Sequence, residues 1–220
     1  MIKYHKSALI ILLVFSANTQ AALVERIGGL AFYDTETNLT WLTDANFAYT
    51  SGYDDDGLMD WEQANNWATN LVINEISGWR LPDTLQPDDS CSWQTASASY
   101  GYSCNGSELG NLFHNILDNF SYYDSDMNYQ ENWGLNNTGP FQNVQSRYWS
   151  STEYAPYTEN AWGFNMLTGY QVSALKTNNL NLYSWAVQTG DITAVPLPAS
   201  AWLLLSGILA LFGASNIKKS

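Results

Sequence analysis

Two apolar runs bracket this chain and confine the part that can fold in water to the residues between them. Ala8 to Phe15 follows Lys3, His5 and Lys6, and Thr19-Gln20-Ala21 then offers the small residues that a signal peptidase accepts on the N-terminal side of its cut. Residues 1–21 therefore read as a cleaved secretory signal. The alternative is a short uncleaved anchor, for which the run falls below the ~20 residues a membrane span needs. The second run, Ala199 to Ala214, follows Val195-Pro196-Leu197-Pro198 and precedes Lys218 and Lys219. At about 1.5 Å per residue it spans roughly 24 Å, a transmembrane segment once Leu197 and Ile217 are added, with the two lysines on the cytoplasmic side.

Residues 22–191 are left as one domain, and 192–220 as linker and tail. Within the domain, four basic residues (Arg26, Arg80, Arg147 and Lys176) face all 21 acidic ones, a net charge of −17. Such a surface repels nucleic acid and other polyanions and favours cations or neutral partners. With 10 Trp, 14 Tyr and 8 Phe in the chain, aromatic residues are too abundant for a disordered one. The only cysteines, Cys91 and Cys104, lie in the exported part, where a disulfide closing their short loop contributes roughly 3 kcal/mol. A redox or metal-binding pair is the alternative, and it lacks both Cys-x-x-Cys spacing and a nearby histidine.

The pattern along the domain is α+β. Ala31 to Asp34 and Leu39 to Leu42 flank the polar turn Thr35-Glu36-Thr37-Asn38, which predicts a β-hairpin. Thr43 to Gly57 reads as a loop. Asp60 and Gln63 form a capping-box pair ahead of a helix whose stripe is Trp61, Ala64, Trp67, Ala68 and Leu71. At Gly78-Trp79-Arg80-Leu81-Pro82 that helix has ended and an aromatic-rich strand is expected to begin. Asp83 to Gly106, with both cysteines, reads as a structureless insertion. Ser107 is positioned to cap a second helix with Leu109, Leu112, Phe113, Ile116 and Leu117 on its apolar face, and Asp118 to Gln145 is irregular, anchored by Trp133 and Phe141. Strands are expected at Arg147 to Glu153, through Trp162, Phe164 and Met166, at Tyr170 to Ser173 and at Tyr183 to Val187.

Candidate chemistry is sparse. The domain holds one histidine, His114, so Ser-His-Asp, Cys-His and histidine-based metal sites lack partners, and no catalytic residue is assigned. Asp54, Asp55, Asp56, Asp60 and Glu62 gather hard oxygen ligands around Gly57, a candidate calcium site without EF-hand spacing; a solvated acidic loop with Asp60 as helix cap is the alternative. Arg80, between Trp79 and Leu81, needs a carboxylate or an aromatic face. It is assigned a structural role with Trp79, Trp149 and Trp162. Exposed aromatics beside amides are the residue types that stack on sugar faces and bond hydroxyls. In irregular segments these are Trp133, Asn136, Asn137, Tyr154, Tyr157, Asn160, Asn178 and Asn179.

Two resemblances then emerge from the quoted motifs. Val195-Pro196-Leu197-Pro198-Ala199, the apolar segment 199–214 and Lys218-Lys219 resemble in order the tripartite PEP-CTERM sorting signal in its VPLPA form; such signals often end in arginine, so a plain tail anchor is the alternative. Asn38 to Asn46, the Trp61 helix, Gly78 to Pro82, Tyr148 to Glu153, Ala161-Trp162 and Trp185-Ala186-Val187 resemble in order the Lcl C-terminal domain family, also called DUF1566. Gln188 stands where that family often has arginine, and Leu85 to Gly106 separates Leu81-Pro82 from its helix.

The tail resemblance implies processing by signal peptidase and by an exosortase of a Gram-negative bacterium. The protein would pass the inner membrane, be held by its C-terminal helix, and then reach the cell surface or extracellular matrix. The domain resemblance implies a C-type-lectin-like fold in which early and late strands pair. Together they imply a non-catalytic surface or biofilm-matrix adhesin that takes a glycan or extracellular polysaccharide, with calcium as the candidate ion. The competing expectations are a structural matrix component without a discrete ligand, and an enzyme acting on extracellular polysaccharide.

Overall fold

Three antiparallel sheets and a few short helices make up a mixed α+β domain in the computed structural model, which describes residues 23–177 and 182–192. The expected signal segment, the expected sorting tail with its motif at 195–199, and Asn178 and Asn179 lie outside the described residues. Among the described residues no helix is long and apolar enough to cross a membrane.

The first sheet has the order β1 (Leu23–Arg26), β2 (Ala31–Asp34), β3 (Leu39–Leu42) and β9 (Val187–Thr189). β2 and β3 form the expected hairpin, with Asp34 opposite Leu39 across the predicted turn. Asp34 is buried there because its carboxylate accepts from the Glu36 amide and the Thr37 hydroxyl. β3 pairs with β9, so the start and the end of the domain share one sheet. Arg26 of β1 adds an ion pair to Asp191.

Some expectations need correction. The last regular strand begins at Val187 rather than Tyr183, because Ser184, Trp185 and Ala186 pass through the core. Trp185 is fully buried, with the rings of Trp41, Phe141 and Tyr148 at 5.3, 5.0 and 5.4 Å, and its indole N–H donates to the Leu42 carbonyl. No strand starts at Trp79: Arg80 makes a single two-bond bridge with Val187, and Pro82, which has no N–H to give, stops it from extending. The expected loop before Asp60 also holds a one-turn helix, α1 (Phe47–Thr50).

α2 (Trp61–Asn70) has the full capping box between Asp60 and Gln63 and buries Ala64, Trp67 and Ala68. It stops because Leu71 turns extended and Ile73 and Ile76 close a tight loop. The second helix is one α-turn, α3 (Glu108–Asn111), that widens into a π-turn over Leu112–Ile116. Its apolar face is as expected, with Leu109, Leu112, Phe113 and Leu117 buried. Ser107 does not cap it; the Ser107 hydroxyl accepts instead from the Leu85 amide.

The region between Asp83 and Gly106 is not structureless. Cys91 and Cys104 are disulfide-bonded across a small hairpin, β4 (Trp93–Gln94) and β5 (Ser99–Tyr100). Gly101 pairs through both backbone bonds with Gln171, which docks the hairpin on the third sheet. That sheet is the meander β6 (Arg147–Glu153), β7 (Asn160–Asn165) and β8 (Tyr170–Leu175). Its β6 and β8 fall where alternation places them, and β7 covers the Trp162 and Phe164 positions.

Candidate ligand-binding face

The hairpin of the insertion, the irregular segment after α3 and β8 bring half-exposed aromatic rings into one continuous line. Trp133 lies 4.7 Å from Tyr122, which lies 4.7 Å from Tyr123. Tyr123 meets Tyr102 at 5.4 Å, and Tyr102 meets Tyr170 at 4.8 Å. Trp93 joins Tyr170 at 6.1 Å and Tyr100 at 5.7 Å. Most of these contacts are edge-to-face, the favourable geometry for ring quadrupoles, so the line supports itself. Partial burial raises the phenol pKa values of Tyr102 and Tyr170 above the ordinary tyrosine value, which keeps both hydroxyls protonated donors.

One end of the line opens into a groove of about 240 Å³ lined by Tyr100, Tyr154, Trp162 and Tyr170, with Thr95 and Ser173 as hydroxyl groups. Trp162 is buried and forms an edge contact with Tyr154 at 5.0 Å; Tyr157 follows at 6.1 Å and is exposed. Beyond the other end, near Trp133, lies a cup of about 330 Å³ lined by Asp118, Asn119, Phe120, Asn132, Asn136 and Asn137. Buried Asn119 organises it, accepting from the amides of Asn136 and Asn137 and donating to the Asn137 carbonyl.

The candidate sugar-binding residues thus divide. Trp133, Tyr154 and Tyr157 belong to the aromatic face. The side-chain amides of Asn136 and Asn137 are engaged by backbone carbonyls of Asn132 and Leu117, which makes them fasteners of the loop. Asn160 closes the β6–β7 turn through its backbone, to Tyr154 and Tyr157. The rings that complete the face, Trp93, Tyr100, Tyr102, Tyr122, Tyr123 and Tyr170, were missed by sequence reasoning. Apart from Tyr170, which begins the expected strand β8, their only signal was aromatic density in segments without periodicity.

The proposed calcium ligands do not gather into a cage. Asp54 accepts from the amides of Asp56 and Gly57, Asp56 from Leu58 and Asp60 from Gln63, so three of the five carboxylates serve local turns and a helix cap. Among the described residues the one group with metal-ligand proximity is Asp88 with Cys91 and Cys104, and there both sulfurs are in the disulfide. Asp88 is occupied in any case, by the Ser90 amide and hydroxyl and by the Gly106 amide.

Arg80 holds Glu108 through two parallel bonds of 2.7 Å and also reaches the Leu81 carbonyl and the Thr189 hydroxyl. Burial works against its charge, and Glu108 more than compensates, so its pKa lies above the ordinary arginine value. Trp79 and Trp149 are buried, their indole N–H groups donating to the carbonyls of Ile76 and Met59. His114 sits between the edges of Phe113 and Phe164, where burial lowers its pKa to about 4. Comparison with family models, with curated proteins and with solved structures finds no match to this chain.

Proposed function

We propose that this chain is an exported, exosortase-sorted surface or biofilm-matrix protein whose non-catalytic, C-type-lectin-like domain binds a neutral glycan along the aromatic face. The observation that carries the binding reading is the unbroken line of half-exposed rings from Trp133 to Tyr100, continued by the groove at Tyr154. Tyr and Trp rings offer flat apolar surface at little conformational cost, and their N–H and O–H groups bond hydroxyls. The net charge of −17 on residues 22–191 disfavours a polyanionic ligand. The Lcl C-terminal and PEP-CTERM resemblances, which rest on the quoted motifs, support the family, the export route and processing by signal peptidase and exosortase.

One observation favours the competing reading of a structural matrix component: the amides of Asn136 and Asn137 are already held by their own loop. A glycan array probed with the full chain, with and without calcium, separates the two. Neutral oligosaccharides should be retained equally in both conditions and at high salt, and Trp133→Ala or Tyr154→Ala should each weaken retention about tenfold. No retained neutral glycan refutes the binding reading. For the tail, the sorting reading fails if residues 195–220 persist on the protein in cells that carry the exosortase.

A further inference from the structure

Cross-strand register in the third sheet sets Arg147, Asn165 and Tyr170 side by side in one row, with Gly163 opposite Val172 in the next. Gly163 has no room for a side chain, because any Cβ at that position would lie 2.9 Å from Leu182 and from the Tyr148 carbonyl, so Leu182 packs directly against the strand there. Beside this contact is a groove of about 260 Å³, walled by Tyr170, Val172, Ala174 and Leu182, with Arg147 and Asn165 at one end. Among the described residues no carboxylate lines it.

The charge pattern says what the groove can take. Arg26 is paired with Asp191, Arg80 with Glu108 and Lys176 with Glu153. Arg147 is exposed and, alone among the described cations, has neither an ion pair nor a side-chain hydrogen bond. Asn165 uses its carbonyl oxygen to hold the Leu167 amide, which leaves its NH₂ group as a donor beside Arg147. An apolar trough with only donors at one end complements an apolar body that carries a single anionic head.

We propose that this groove is a binding site for a small carboxylate with one apolar ring or short chain, its head held by Arg147 and Asn165 and its body by Tyr170, Val172 and Ala174. The volume lies just below the ~300–1,000 Å³ of drug-sized sites, so one ring fills it. This site shares Tyr170 with the aromatic face and Val172 with the adjoining groove at Tyr154, but its Arg147 and Asn165 end lies outside both.

The test is saturation-transfer NMR on the full chain with phenylacetate and its uncharged counterpart phenylacetamide. Phenylacetate should bind with a Kd of about 1 mM and the amide about tenfold more weakly. Arg147→Gln should erase that preference, Val172→Glu should abolish binding of the acid with its melting temperature retained, and Trp133→Ala should change neither. The proposal is overturned if neither compound binds at about 10 mM, if both bind the wild type equally, or if Arg147→Gln keeps the preference. It is equally overturned if Tyr154→Ala, rather than Arg147→Gln, removes the signal, because the compound then sits in the adjoining groove.

Discussion

Replacing Arg80 by alanine should cost roughly 2–3 kcal/mol. Breaking a buried ion pair by removing one partner costs about 3–5 kcal/mol. Here the Arg80 and Glu108 side chains are 28% and 19% exposed, and Glu108 keeps the Asp83 amide as a donor, so the cost falls at or somewhat below the lower end of that range. For a domain of this size that is a fall of roughly 5–10 °C in melting temperature. Arg80→Lys retains the charge but not the fork that matches both Glu108 oxygens, and should fall between wild type and alanine. A double-mutant cycle with Glu108→Ala should show about 1–2 kcal/mol of coupling. Arg147→Gln is the control for general charge loss, since it removes a positive charge that has no partner among the described residues; its melt should stay within about 0.5 kcal/mol of wild type. An unchanged melt for Arg80→Ala, or no coupling to Glu108, refutes the clamp.

Changing Cys91 and Cys104 together to serine should destabilise the chain by roughly 3 kcal/mol in thermal melts, and a reducing agent should lower the wild-type melt similarly. Gly110→Ala should prevent recovery of folded protein, because the new Cβ would lie 1.8 Å from the Cys104 carbonyl oxygen. His114 is neutral when folded, with a pKa of about 4, and binds a proton more readily once unfolded, so its contribution is complete above about pH 6.5 and is lost as pH falls toward 4. Denaturant titrations should lose roughly 3 kcal/mol across that window, and His114→Leu should flatten the curve there. A wild-type stability that is level from pH 6.5 to 4 would contradict the burial of this imidazole.

What could be read from the sequence was local, and what could not was assembled from distant segments. The β2–β3 hairpin, the Asp60–Gln63 box and the β6–β8 meander each follow from residues within one or two turns of the chain. β1 was hidden beside the expected signal boundary, and the residues from Tyr183 to Val187 read as a strand although most of them cross the core. The acidic run at Asp54 to Glu62 looked like a cation site because its carboxylates are adjacent in sequence. In three dimensions Asp54, Asp56 and Asp60 turn onto nearby backbone amides, the commoner fate of aspartate in loops. Most of the aromatic face escaped because its rings come from four separate segments, and of those missed only Tyr170 lies on an element with a strand period.

The clamp and the aromatic face are parts of one construction. The insertion leaves and rejoins the domain beside Arg80: the Asp83 amide donates to Glu108, the Leu85 amide to Ser107, and the disulfide closes the loop further out. Beyond these three rungs the hairpin carries Trp93, Tyr100 and Tyr102, and the Gly101–Gln171 pairing sets them against Tyr170. Loosening the base by Arg80→Ala, or the middle by removing the disulfide, should therefore weaken glycan retention even though neither position touches a ring. Trp133→Ala should do the reverse, lowering retention while leaving the melt nearly unchanged, since Trp133 is half-exposed and packs mainly on Tyr122 and Tyr129. If Arg80→Ala lowers the melt yet leaves retention intact, the bound segment lies on the Trp133 side of Tyr102, and the insertion is then a cover for β8 rather than part of the binding face.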